Sequence, residues 1–284
     1  MSTTTYTSPV DKLLALGEPE SIPPEKWPNY LELGLGPEHI PELIRMATDR
    51  KLRDLEQEEY EDEDPDFWGP IHAIRALGQL HAEAAVEPLV NLLTELKDDE
   101  WMLEELPSVY GMIGPVAIPA LSVYLADPSH EMYSRAYASN GFIEIAKWYP
   151  ESRSECIAAI SKQLEAFEEN DYELNAFIIG DLTRLKAIET LPLIERAFEA
   201  DRVDEFVIDL DYVLEEFGLK EREIVESPFL EMFKEISAAR AKRQETPSLS
   251  PEKSYIPPPA RTTTDKIIKF SGKRITKKKS KKKG

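Results

Sequence analysis

Ile40-Pro41-Glu42-Leu43, Val86-Glu87-Pro88-Leu89, Ile118-Pro119-Ala120-Leu121 and Leu191-Pro192-Leu193 are four versions of one phrase. An apolar residue, a proline and an aliphatic residue open each, with the spacing drifting by one position. Apolar residues at i, i+3 and i+4 follow, which is one face of a helix. Three copies are preceded by a second apolar helical run: Ile71 to Leu80, Leu103 to Ile113, and Asn175 to Leu182. Helix, tight turn and helix, repeated at about 30 to 40 residues, is the pattern of a helical solenoid. Such folds usually bind other molecules and rarely catalyse, so the pattern predicts a mode of action without naming a partner.

The clearest unit predicts an outer helix from Trp68 to Leu80, a turn around His81 to Ala84, and an inner helix from Ala85 to Leu96. The next runs from Leu106 through the Gly114-Pro115 turn to Leu125. Gly78 aligns with Gly111 and Leu93 with Leu125, displacements of 33 and 32 residues. A third unit takes Tyr133 to Lys147, a longer turn with Trp148, Tyr149 and Pro150, and Ser154 to Phe167. A fourth takes Glu173 to Thr183 and Ala187 to Ala200. A last helix is predicted at about Val203 to Phe217, and one more at Phe229 to Arg243. Upstream, Pro37 opens a helix that runs to about Leu55. Asp11 to Leu16 reads as one short helix. Pro19, Pro23, Pro24 and Pro28 enforce an extended loop presenting Trp27 and Tyr30. Residues 1–35 are therefore expected to cap the open end of a repeat domain spanning 36–243, followed by a disordered Lys-rich tail at 244–284.

The run His72 to Leu80, followed by Ala85-Val86-Glu87-Pro88-Leu89, resembles a HEAT-like repeat of the phycobilisome-lyase type. Asp127 followed by Arg135-Ala136-Tyr137-Ala138 is similar to that repeat's pairing of an Asp at one helix end with an Arg-x-x-Ala opening the next. The resemblance covers about residues 36–218 and implies an all-α fold, a right-handed αα-superhelix with a disordered basic C-terminal tail. Such repeats occur in scaffolds, adaptors, chaperones and bilin lyases. The third unit departs by its long turn, and the fourth by lacking an Arg on its outer helix. In the tail, Ser271 to Lys278 resembles the basic part of a SEC-C motif, with one extra residue and none of that motif's cysteines, so it implies no zinc.

Composition narrows the classes further. Glycine is scarce, with 12 residues, and alternating β-branched runs are missing, so strands are not expected. The single cysteine, Cys156, sits in an apolar run and reads as a buried small hydrophobe. No stretch of about 18 apolar residues suggests a span, and no basic-then-apolar leader is visible, so a reducing, cytoplasmic setting is expected. Net charge is −20. Residues 240–284 carry 15 Lys/Arg against 3 Asp/Glu, and the other 239 residues carry 19 against 51, so an acidic body precedes a basic tail.

No catalytic constellation is apparent. His39, His72, His81 and His130 are scattered without metal-ligand spacing. His72, inside a packed helix, reads as a structural imidazole. Gly34-Leu35-Gly36 is a turn rather than a phosphate loop. The acidic run at 54–66 lacks the ordered spacing of a calcium loop. No cofactor is expected, and the chain reads as a non-enzyme. Two charged regions are candidate binding surfaces. Asp201, Asp204, Glu205, Asp209 and Asp211 form an acidic patch for a basic partner. Lys273, Arg274, Lys277, Lys278, Lys279, Lys281, Lys282 and Lys283 suit an anionic partner, whether the chain's own acidic body, anionic lipid, or ribosome, RNA or DNA phosphate. The expected function is a protein-binding scaffold or adaptor using the concave face formed by inner helices near 86–96, 117–125, 156–167 and 188–198. A ribosome- or nucleic-acid-associated factor is the first alternative and a bilin lyase-like chaperone the second.

Overall fold

The recurring phrase marks helix starts. In the computed structural model, α1 (Ile40–Ala47), α4 (Val86–Glu95), α6 (Ile118–Ala126) and α10 (Leu191–Glu199) begin at the four residues that open it. A three-residue 3-10 turn leads into each, at Pro37–His39, Glu83–Ala85, Pro115–Ala117 and Ile188–Thr190. Pro41, Pro119 and Pro192 stand second in their helices and Pro88 third. Amides there have no carbonyl within the helix to reach, so the missing N–H of proline costs nothing. The remaining helices are α2 (Arg50–Arg53), α3 (Gly69–Gln79), α5 (Glu100–Ile113), α7 (Met132–Trp148), α8 (Arg153–Leu164), α9 (Tyr172–Arg184) and α11 (Leu210–Glu216). The structure describes residues 5–53, 65–96 and 100–221, and no strand occurs among them. Chain packing separates Met1–Glu223 from Ile224–Gly284, so the described residues all belong to the first unit. The acidic run at 54–64, the helix predicted at Phe229 to Arg243 and the Lys-rich tail lie outside the described residues.

Two files of helices share one apolar core. In the first file α3 packs on α5, α5 on α7, α7 on α9, and α9 on α11; in the second, α4 packs on α6, α6 on α8, and α8 on α10. Side-chain partners fix the direction. Tyr133 meets Phe177, Ser139 bonds Asp181 and Asn140 bonds Arg184, so separations of 42 to 44 residues hold from Tyr133 to Asn140 of α7 and from Phe177 to Arg184 of α9. A constant separation means parallel helices. Arg75–Glu105 and His81–Met112, separated by 30 and 31 residues, do the same for α3 and α5.

Helix ends expose carbonyls that need donors, and here the neighbouring unit supplies them. The His81 Nδ1–H donates to Met112 O, Arg153 to Leu185 O at 2.7 Å, and Lys186 Nζ to Glu216 O at 3.1 Å. These donors come from the unit before, and Tyr149 Oη adds one to Met112 O from the unit after at 3.2 Å. In the second file the donors come from the unit after: Arg135 Nε to Leu125 O at 2.8 Å, and Arg202 to the carbonyls of Phe167, Glu168 and Asn170.

The glycines aligned by sequence occupy equivalent contacts but differ in tolerance. A Cβ on Gly78 meets the flexible Met112 Sδ at 2.9 Å; one on Gly111 meets Glu144 Cβ at 2.7 Å and its backbone carbon at 3.0 Å. Alanine gains about 1 kcal/mol of helix propensity at either site, and overpacking against rigid backbone costs about 1–3 kcal/mol. Gly111→Ala is therefore expected to destabilise by about 1–2 kcal/mol, and Gly78→Ala to change stability by under about 1 kcal/mol, in paired urea unfolding curves.

Three boundaries differ from the sequence reading. The helix predicted from Pro37 to Leu55 breaks between Ala47 and Arg50. The one predicted from Leu106 begins at Glu100 and carries Pro107 inside it, tolerated where Met102, Leu103 and Leu106 are buried on its N-terminal side. The helix predicted from Val203 to Phe217 is only Leu210–Glu216. Aspartates are the reason: Asp204 Oδ1 accepts from Phe206 N at 2.9 Å and Asp209 Oδ1 from Tyr212 N at 2.7 Å, diverting the amides that a longer helix needs.

Candidate functional site

Three parallel helices of the first file open on an acid and a tyrosine. Glu131 precedes α7, whose second residue is Tyr133; Asp171 precedes α9, which opens Tyr172-Glu173; Asp209 caps α11, with Asp211 and Tyr212 in its first turn. Acids suit this position because the helix dipole is positive at its N-terminus. Tyr133, Tyr172 and Tyr212 are all exposed. The loop between α10 and α11 joins this edge, since Asp204 N donates to Tyr172 O at 3.2 Å. Phe206 stands from that loop fully exposed, beside exposed Val207.

The five acids picked from sequence all fall in this loop and the first turn of α11. Asp201 ends α10 with a positive φ of 54°. Asp204 and Asp209 spend one oxygen each on backbone amides. Glu205 is exposed, and Asp211 pairs with Lys220 at 2.5 Å. Residues 199–216 hold eight carboxylates against one cation, Arg202. That guanidinium is turned inward, bonded to carbonyls and 4.3 Å above the Tyr172 ring. The aromatic part of this edge was missed, because the residues were assigned to a continuous helix. The Asp204 and Asp209 spacing, with Phe206 between, was the available signal. Lys273, Arg274, Lys277, Lys278, Lys279, Lys281, Lys282 and Lys283 lie outside the described residues.

A buried polar group lies elsewhere, beneath the N-terminal segment. Segments Val10–Ala15 and Tyr30–Leu33 pack on α3, whose residues Gly69 to Gly78 are all buried. His72 Nε2 lies 2.8 Å from Gly17 O, so it carries the proton and donates. Nδ1 is then the acceptor for the Tyr30 hydroxyl, also at 2.8 Å. Burial lowers the His72 pKa, which keeps this neutral tautomer. Arg75 makes two bonds to Glu105 and one to Glu20 O, with the Trp27 ring 4.7 Å from its guanidinium carbon. These groups bond one another and strap the segment to α3.

Asp181 is buried between α7 and α9 and accepts from Ser139 Oγ at 2.5 Å. Burial pushes its carboxyl up to about 7, against the weaker lowering by Ser139 and Arg184. Cys156 is fully buried, and burial raises its thiol to about 11, which leaves it unreactive at neutral pH. A groove of about 610 Å³ beside the ends of α7 and α9 is lined by Lys147, Arg153, Arg184 and Lys186, each already engaged with a carboxylate or carbonyl. No group of three or more metal-binding side chains occurs among the described residues. No single helix among them is long and apolar enough to cross a membrane.

Set against known proteins, the chain matches no family model, no curated protein and no solved structure.

Proposed function

We propose that this chain is a non-catalytic protein-interaction scaffold: a right-handed αα-superhelix of HEAT-like repeats whose second file of helices forms the docking surface. The succession of contacts from α4 to α6, α6 to α8 and α8 to α10 carries the reading, because helices stacked in file present a continuous surface. The exposed positions along it are short or mixed in character. Asn91 on α4, Val123 on α6, Ala158 on α8 and Glu195 on α10 face solvent, and Val123 is 74% exposed. Val123 sits on a helix anchored by Leu121 and Leu125, so its side chain can be changed without disturbing the core.

Val123→Arg tests it. The substitution places a charge on the inner surface without touching the core. Affinity capture with mass spectrometry is expected to recover a partner with the unchanged chain and to lose it, by about tenfold or more, with the variant. Equal recovery with both chains would remove the inner surface from the account. The second reading, association with ribosomes or nucleic acid, is favoured by ten Lys/Arg between 266 and 284. Sedimentation with ribosomes at low salt separates the two: loss of association in a chain ending at 243 supports the second reading, and unchanged association sets the tail aside.

A further inference from the structure

We infer that the edge where α7, α9 and α11 begin is a second docking surface, one that takes an extended Lys/Arg-rich segment of a partner protein by combining carboxylates with exposed aromatic rings. It goes beyond the scaffold reading and uses none of the inner-surface residues.

Three observations converge. The edge is held together: the Tyr133 and Phe177 rings lie 6.0 Å apart, and the Tyr172 backbone carbonyl accepts from the amide of Asp204, which brings the loop bearing Phe206 to the start of α9. The rings are open, with Tyr133 60% exposed and Phe206 fully so, which is unusual for large apolar side chains in such a group. The loop is acidic: residues 199–216 hold eight carboxylates, their one cation, Arg202, is committed to backbone carbonyls, and Lys220 pairs with Asp211. The same edge already shows the chemistry it is proposed to offer: the Arg202 guanidinium sits over the Tyr172 ring at 4.3 Å. A Lys or Arg from a partner stacks on Phe206 or Tyr212 in the same way, while Glu173 and Glu205 neutralise its neighbours. An extended segment fits best, because its alternate side chains are about 7 Å apart and step along a rim of successive helix starts. An anionic partner is repelled, and a purely apolar one leaves the carboxylates unpaired.

The test is fluorescence anisotropy of the full chain with a labelled twelve-residue Lys/Arg peptide, and with a Glu peptide of equal length. The basic peptide is expected to bind with micromolar affinity at low salt and about tenfold more weakly at 0.3 M salt. The acidic peptide is expected not to bind. Phe206→Ala, at a fully exposed position, is expected to weaken binding about threefold, and Glu173→Lys with Glu205→Lys by about tenfold or more. Val123→Arg is expected to leave it unchanged, which keeps this surface distinct from the inner one. Circular dichroism confirms that each variant is folded. The inference is overturned if the basic peptide does not bind, or binds equally to wild type and the double-lysine variant. It is also overturned if Phe206→Ala has no effect, since simple charge attraction then accounts for everything.

Discussion

Replacing Arg75 by methionine is expected to cost the fold about 3–5 kcal/mol, and replacing Glu105 by leucine in the same chain to restore most of it. The Arg75 side chain is 1% exposed and that of Glu105 11%, with their atoms at 2.5 Å and 3.1 Å. Methionine fills much of the volume of arginine but leaves the Glu105 carboxylate with little water and no cation. An uncompensated buried charge costs far more than the pair contributes. Glu20 O also loses its donor and Trp27 its stacked guanidinium, so the N-terminal strap loosens together with the α3–α5 contact. Urea unfolding of both single variants and the double variant measures the coupling. If the double variant is no more stable than Arg75→Met alone, the loss came from the strap and not from the stranded carboxylate.

Asp181→Asn is expected to stabilise the chain at pH 8 by about 1–3 kcal/mol and to have little effect at pH 4. The sign follows from the raised carboxyl. With a folded value of about 7 against an ordinary 3.8, the native state holds a proton that the unfolded state has released. The favourable contribution is complete below about pH 4 and is lost progressively as pH rises toward 7. The span sets an upper bound of about 4 kcal/mol, which relaxation around the ionised form reduces. Asparagine keeps an oxygen for Ser139 Oγ and has nothing to ionise. Carboxylates elsewhere on this acidic chain also shift stability across the same range, so the variant minus wild-type difference is the quantity to follow. A difference that stays flat from pH 4 to pH 8 would mean that the Asp181 carboxyl titrates normally.

Much of the helical architecture was readable because its signals are local and periodic. Ile40, Val86, Ile118 and Leu191 begin helices because proline near a helix start is a sequence-level marker. The 33-residue displacement of Gly78 and Gly111 proved to be two equivalent close approaches, α3 against α5 and α5 against α7. What escaped depends on neighbours distant in sequence. The Arg75–Glu105 pair joins positions 30 apart, near the 32- to 33-residue repeat displacement, yet nothing local in either helix announces it. The Asp181–Ser139 contact is of the same kind, set by the offset between α7 and α9. The overlong helix at Val203 had a different cause: apolar spacing continues through Val207, Leu210 and Val213, while aspartate side chains compete for the amides. Of the candidate site, the acids were legible as composition; the aromatic rim was not, because exposure cannot be read from a pattern that also fits a packed face.

The donors that finish each helix end have an evolutionary corollary. First-file carbonyls borrow from the preceding unit, with Tyr149 adding a second donor to Met112 O from the following one, and second-file carbonyls borrow from the following unit. Removing a module from either terminus strips a neighbour of its lid. A duplicated or excised interior module, taken whole and in phase, carries as many lenders as borrowers and leaves the ledger of bonds balanced. A chain built this way is therefore expected to tolerate the gain or loss of a whole interior module better than a half-module insertion.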